Sequence, residues 1–283
     1  MSDAAASPAA PDADARLTAG TSLAELLDLR GQVALVTGAG QGVGAATARF
    51  LAAQCAAVAV NDYRAERAEA VAGQIRDQGG TAIAVQADVT DFTAVGAMVA
   101  RVADELGPVT VLVNNAGNAG ANPTAAGAAP FWESDPAAWE PFLAVNLHGV
   151  LACCRAVIPG MIHAGHGRLI TIISDAGRVG EAGLEAYSAA KAGAAGLMRA
   201  LARSLGRYHI TANCVAIGIT NTPAVAHAVH DADTTRRVLS KYMIRRVGEP
   251  ADAAAMVTFL AAPASSWITG QTYPVNGGFS VSQ

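Results

Sequence analysis

The chain of 283 residues is short of several things, and each shortage removes a class of function. It has no excess of positive charge: 19 Lys and Arg stand against 23 Asp and Glu, for a net charge of −4. Without a basic field it is not expected to hold nucleic acid. No uninterrupted apolar run approaches the ~18 residues of a membrane span, so none is predicted to cross a bilayer. Four cysteines, Cys55, Cys153, Cys154 and Cys214, lack the spacing of metal ligands. They read as buried small hydrophobes, and they fit a reducing cytoplasm. Residues 1 to 20 are Ala, Pro and Asp with hardly a large apolar side chain. They lack the basic start and apolar centre of a secretory signal, and read as a flexible tail.

What the chain does have is apolar residues, at 52% of the total, in a repeating pattern of short strands and longer helices. Ser22 and Glu25 form a capping-box pattern ahead of Leu23, Leu26 and Leu27. A strand at Val33–Thr37 runs into the glycine turn Gly38-Ala-Gly40-Gln41-Gly42-Val43-Gly44 and then a helical pattern. Strand, glycine turn and helix start together make a phosphate cradle: glycines let backbone approach a pyrophosphate, and the helix N-terminus attracts its charge. A second strand, 57–60, leads to Asp62, about twenty residues past the turn, where a carboxylate binds ribose hydroxyls and repels a 2′-phosphate. Arg64 beside it is a candidate receptor for NADP. A helix over 65–78 and a strand over 81–87 follow, ending at Asp88-Val89. Asp88 meets either the adenine edge or the start of the next helix near Asp91.

A fourth strand, 109–113, ends in Asn114-Asn115-Ala116-Gly117, residues small enough to pass close to a cofactor. The Gly, Ala, Asn and Pro of 118–130 read as a loop at the mouth of a site. After Ser134-Asp135, Pro136 suits a helix start, and one long helix is predicted to about His163, with Asn146 inside it. A mid-helix Asn requires a partner, such as a backbone group or a water. The strand 169–173 ends at Ser174. Thirteen positions later comes Tyr187, and four further on Lys191, on the same face of a predicted helix over 184–206. The ammonium is expected to lower the pKa of the phenol and make it a proton donor and acceptor near neutral pH. Strands over 210–215 and 271–275 complete the series, with a mixed helical region to about 243 and a helix at 251–261 between them. The unbroken alternation predicts one α/β domain over 21–283, a doubly wound Rossmann fold with a mostly parallel seven-stranded sheet.

At this point the chain resembles the short-chain dehydrogenase/reductase family over about residues 30 to 280. The resemblance rests on Thr37-Gly-Ala-Gly-Gln-Gly-Val-Gly44, Asp88-Val89, Asn114–Gly117, Asn146, Ser174, Tyr187-Ser-Ala-Ala-Lys191, Arg246–Pro250 and Ile268–Gly278. It implies a catalytic tetrad of Asn146, Ser174, Tyr187 and Lys191. It also implies cofactor contacts from Gly38, Gly40, Gln41, Gly42, Val43, Gly44, Asp62, Asp88, Val89, Asn115, Ala116, Gly117, Tyr187, Lys191, Gly218, Thr220 and Thr222. With Asp62 in place and no basic residue in the glycine turn, NAD is expected rather than NADP.

The activity implied is interconversion of a secondary alcohol and a ketone, in an assembly the family suggests is a homotetramer sharing the helices 136–163 and 184–206. Ser-Asp-Ala-Gly-Arg-Val-Gly (174–180) is similar to enzymes of alicyclic hydroxyacyl-CoA thioesters, and other relatives reduce 3-oxoacyl thioesters. Arg236, Arg237, Lys241, Arg245 and Arg246 read as a receptor for CoA or carrier phosphates or as a solvated face. Steroid, sugar and small-alcohol substrates compete with the thioester, and a silent dinucleotide sensor is the alternative from another class.

Two departures stand out. Ile217-Gly218 replaces the family's Pro-Gly, and Asp175 follows Ser174 where a small residue is commoner. Asp175 either faces the substrate pocket or caps the loop with Arg178.

Overall fold

The computed structural model describes residues 20–118, 130–223, 225 and 232–281. The predicted tail and most of the predicted 118–130 mouth loop lie outside the described residues.

Seven strands form one sheet. They are β1 (Val33–Val36), β2 (Ala57–Asp62), β3 (Ala82–Gln86), β4 (Val111–Asn114), β5 (Gly167–Ser174), β6 (Ile210–Ile217) and β7 (Thr272–Val275). Their order is β3-β2-β1-β4-β5-β6-β7, and every pair is parallel rather than only most of them. The run Val33–Val36 is apolar throughout, and Leu169–Ile173 is apolar except for buried Thr171, because both their faces are buried. On β7 the Gln271 and Val275 carbonyls bond to β6, so by strand alternation Pro274 points off the sheet edge.

Two layers of helix cover the sheet. The helices α1 (Leu23–Leu27), α2 (Gly42–Ala53), α3 (Ala65–Asp77) and α4 (Phe92–Leu106) precede β4 or lead into it. The helices α5 (Glu140–Leu143), α6 (Gly149–Ala164), α7 (Ala176–Val179), α8 (Glu185–Leu205), α9 (Ala232–Leu239) and α10 (Pro250–Ala261) follow it. One core packs Leu51, Val71, Ile75, Val257 and Leu260 of α2, α3 and α10 onto the sheet. The other packs Met98, Val157, Met161 and Met198 of α4, α6 and α8 onto the opposite face. The capping box of Ser22 and Glu25 forms as expected. Asp91 caps α4 through the amides of Thr93 and Ala94, while Asp88 is exposed and accepts instead from the amide and hydroxyl of Thr90.

Two corrections concern 136–164. The single predicted helix is broken into a short 3-10 turn, α5, a π-helical turn at Ala144–His148, and α6. Taken together, Pro136–Ala164 is also long and apolar enough to cross a membrane by length and composition, against the sequence expectation. Its apolar residues Val150, Cys153, Val157 and Met161 lie in the core beneath the sheet, which accounts for the composition.

Strand order reverses between β1 and β4, which opens a crevice at their carboxyl ends. The motif residues of the glycine turn, of Asn114–Gly117, of Ser174 and of Gly218–Thr222 follow the ends of β1, β4, β5 and β6, so topology gathers them along that edge.

Candidate active site

The floor of the crevice is a strap between β1 and β4. The Thr37 hydroxyl accepts from the amides of Asn115 and Ala116, both at 3.1 Å. The Asn115 side chain returns two bonds, to the carbonyls of Thr37 at 2.9 Å and Gly38 at 3.0 Å. No role is assigned to Thr37 from the sequence. A hydroxyl directly before the first glycine is the signal that would have found it.

Above the strap, the glycine turn leaves a cradle at the start of α2. A Cβ on Gly40 would lie 2.5 Å from Arg67 Cβ and 2.6 Å from Asp62 Oδ2, so only glycine lets the turn come this close to β2. Gln41 is the N-cap of α2 without a side-chain capping bond, and Val43 is buried. A Cβ on Gly42 (φ +55°) would sit 3.1 Å from Thr222 Cγ2. The segment after β6 therefore crosses over the helix start, as a cofactor wall requires.

Asp62 is buried at the end of β2. Its Oδ2 accepts from the Gly40 amide at 3.1 Å and its Oδ1 from the Arg64 amide at 3.0 Å. The Arg64 side chain is turned onto Tyr63, donating from Nε to the phenol oxygen at 2.9 Å. Val89 contributes core packing: it fills the space where a Cβ on Gly149 would be, 2.8 Å from its Cγ2. Thr220 is buried and donates to the Gly218 carbonyl at 3.0 Å. Tyr242, unassigned from sequence, holds this turn by accepting from the Ile219 amide at 2.9 Å.

Asn146, Ser174, Tyr187 and Lys191 come together. Ser174 ends β5, and its hydroxyl stands close enough to the Tyr187 phenol to pull its pKa down. Lys191 is buried, donates to the Ile172 carbonyl at 2.9 Å, and lies 5.7 Å from the centre of the Tyr187 ring. A Cβ on Gly117 would be 3.1 Å from Asn146 Oδ1 and 3.2 Å from Lys191 Nζ, so β4, the π-turn and α8 meet at one point. Phe142 meets the Tyr187 ring edge-on, with centres 6.2 Å apart.

The π-turn explains Asn146. The Gly149 amide reaches five residues back to the Ala144 carbonyl, and the wide turn frees the Phe142 carbonyl for Asn146 Nδ2 at 2.9 Å. The same amide group clamps the backbone of Asn118, which has φ +74°. Nδ2 donates to its carbonyl at 2.6 Å, and Oδ1 accepts from its N–H at 3.1 Å. The backbone partner expected for a mid-helix Asn is thus present.

The electrostatics correct one expectation. Burial pushes the Tyr187 phenol above its ordinary value; the nearby Ser174 hydroxyl pulls it down, and the Glu181 carboxylate adds to the rise. Burial also holds Lys191 down, at about 8. Desolvation outweighs the stabilisation that helical spacing suggested. The Cys153, Cys154 and Cys214 thiols are pushed up by burial to about 12, which fits the packing role assigned to them.

One open choice closes. Asp175 is buried and paired with Arg178 Nη1 at 2.5 Å. In the basic cluster, Arg246 makes a two-pronged pair with Asp252 at 2.7 and 2.8 Å, whereas Arg236, Arg237, Lys241 and Arg245 are exposed.

Residues 32–233 match the short chain dehydrogenase family. The chain is 41% identical to a cis-4-hydroxycyclohexanecarboxylate dehydrogenase of Sinomonas cyclohexanicum, over 88% of this chain and 96% of that one. It is 38% identical to a (2S)-[(R)-hydroxy(phenyl)methyl]succinyl-CoA dehydrogenase subunit of Thauera aromatica, over 90% of this chain and 99% of that one. Among solved structures, a gluconate 5-dehydrogenase from Burkholderia cenocepacia in complex with NADP and tartrate superposes with a TM-score of 0.85. It shares 32% identity and covers 92% of this chain and all of its own. With its dinucleotide cradle and its Ser-Tyr-Lys cluster at the same sheet edge, the chain belongs to the short-chain dehydrogenase family of nicotinamide-dependent oxidoreductases.

Proposed function

We propose that the protein interconverts a ring-bearing secondary alcohol and its ketone, with NAD preferred over NADP. The observation that carries this reading is the meeting of Asn146, Ser174, Tyr187 and Lys191 around Gly117, beside the glycine cradle. The cradle of Gly38–Gly44 with Asn115, Ala116, Gly117 and Thr222 would hold a nicotinamide dinucleotide, which when bound would accept or supply the hydride. Tyr187 takes the hydroxyl proton in oxidation and returns it in reduction. Ser174 hydrogen-bonds the same substrate oxygen and stabilises its developing charge. Lys191, fixed by the Ile172 carbonyl, places positive charge beneath the phenol, and Asn146 keeps the π-turn and Asn118 in register with it.

Phe142 against Tyr187 offers an apolar wall to a ring, which agrees with the alicyclic substrate in the name of the Sinomonas relative. Asp62 supports the NAD preference: its carboxylate stands over Gly40, where a 2′-phosphate would add like charge, and Arg64 is engaged with Tyr63.

A second reading is an acyl thioester, favoured by the CoA named for the Thauera relative and by exposed Arg236, Arg237 and Lys241. We further propose a homotetramer that shares α6 and α8, since Leu151 and Ile162 of α6 are exposed, and a cytoplasmic location, which four free cysteines support.

The test is a screen of the purified chain with NAD or NADP, following absorbance of the reduced nicotinamide. The panel is cyclohexanols, their carboxylates, the matching CoA thioesters, steroids and polyols. Oxidation of a free alicyclic alcohol with NAD is expected, and activity confined to thioesters would shift the assignment to the second reading. Tyr187→Phe should lose turnover by at least about a hundredfold while still binding NAD. Turnover within about tenfold of wild type would refute the proton role.

A further inference from the structure

Asp175 lies one residue beyond Ser174 and is held from several directions. Its Oδ1 accepts from Arg178 Nη1 at 2.5 Å and its Oδ2 from Asn276 Nδ2 at 2.6 Å. Arg178 Nη1 also donates to Ser280 Oγ at 3.0 Å, and Asn276 Nδ2 donates to the Ser280 carbonyl at 3.0 Å. Asn276 and Ser280 belong to the segment after β7, 101 and 102 residues away from their partners. The backbone of Asp175 is fixed too. Its amide donates to the Ile217 carbonyl at 3.2 Å, and its carbonyl accepts from Arg178 and Val179 at 2.8 and 2.9 Å.

The cluster surrounds the Ser174 turn. Ser174 pairs with Ile217 in the sheet, and its hydroxyl accepts from the Ala176 amide at 3.2 Å. On the far side, α7 presses against α8 so closely that a Cβ on Gly177 would be 2.7 Å from Lys191 Cβ. A carboxylate with 2% of its surface exposed is costly to bury, and even a well-satisfied buried ion pair adds little net stability. What such a pair fixes is geometry, and here the geometry is that of the serine.

We propose that Asp175 is a positioning residue. With Arg178, Asn276 and Ser280 it forms a clasp that aims the Ser174 hydroxyl at Tyr187, so full turnover requires the segment after β7 to be docked. This rests on the roles given above to Ser174 and Tyr187.

The test uses the full chain as wild type, Asp175→Asn, Asn276→Ala, the double variant and Tyr187→Phe, with an alcohol that the wild type oxidises in the screen. Folding is read by thermal melting and NAD binding by quenching of protein fluorescence. Each clasp variant should bind NAD within about threefold of wild type and lose about tenfold or more in kcat. The limb of the pH profile set by Tyr187 should move to higher pH, because the nearby Ser174 hydroxyl lowers that phenol against its burial and Glu181. The double variant should be no slower than the worse single one, since both changes open one clasp.

A folded Asp175→Asn with kcat within about twofold of wild type overturns the proposal. So do losses that multiply in the double variant, and so does a fall in melting temperature and kcat with the pH limb unmoved, which is the signature of a purely structural role. If Asp175→Asn does not fold, Asn276→Ala and Ser280→Ala interrogate the clasp from the other end, and unchanged kcat in both overturns it. The two levels separate cleanly: an active Tyr187→Phe, or a wild type that oxidises nothing in the panel, defeats the functional reading and the clasp with it. An inactive Tyr187→Phe beside an unimpaired Asp175→Asn defeats the clasp alone.

Discussion

Gly44→Ala places one methyl group at the tightest point of the cofactor cradle. The new Cβ would lie 2.4 Å from both the Gly38 carbonyl oxygen and Asn115 Nδ2, and 2.9 Å from Ala39 Cα. Two of these neighbours are backbone, and the third is already committed to the Thr37 and Gly38 carbonyls, so none can yield freely. Overpacking costs about 1–3 kcal/mol. Losing the two Asn115 bonds adds about 1 kcal/mol each. Alanine returns about 1 kcal/mol because Gly44 is in α2. The net loss is then about 2–4 kcal/mol, or roughly 3–7 °C in melting temperature for a domain of this size. The cradle must also shift to admit the methyl, so NAD affinity should fall by about tenfold or more. Gly96→Ala is the control: it lies in α4 with nothing within 4 Å of the added atom. It should stabilise the protein by about 0.5–1 kcal/mol. Urea unfolding with and without NAD measures both. If Gly44→Ala behaved like Gly96→Ala, the close strapping of the glycine turn onto β4 would be refuted.

Asp62→Ala should narrow the ratio of kcat/KM for NAD over NADP by about tenfold; an unchanged ratio would move selectivity to Arg64 or Arg67. Stability should fall steeply on the alkaline side. Buried Cys153, Cys154 and Cys214 hold their protons to about 12 while the unfolded thiols release them at 9.0. Their stabilisation is complete below pH 9 and is lost as pH rises toward 12. Lys191 acts in the opposite sense: with its pKa lowered to about 8 from 10.5, stability is regained as pH rises from about 8 to 10.5 and not beyond. Cys214→Ala should therefore flatten the fall measured by urea unfolding between pH 9 and 10 by about 1 kcal/mol. An equal slope in wild type and variant would place that thiol outside the titration.

Much of the site is legible in the sequence because its motifs follow strand ends, and a parallel sheet lines those ends up along one edge. Gly40, Asp62, Gly117 and Ser174 follow this logic, while Tyr187 and Lys191 share one face of α8 through their spacing of four. Other features are not local. The π-turn at Asn146 differs from an α-helical turn by one residue, too little to disturb a hydrophobic pattern read over 136–163. The direction of the Tyr187 shift depends on how much of the ring the fold buries, which spacing alone does not report. Asp175 finds Asn276 only once β7 is laid beside β6. Thr37 is within a recognisable string, yet its hydroxyl acquires a purpose only when β4 arrives from 78 residues away.

Pro274 has a consequence for how copies of the chain associate. An open sheet edge is a template: another chain can align on it and continue the ladder, and the product has no natural end. At β7 that template has a blank position, because proline offers no N–H where the outward ladder would need one. Growth by strand addition is disfavoured at this border, while helix faces stay usable. A closed oligomer of finite size is compatible with such an edge, and an open-ended polymer built across it is disfavoured.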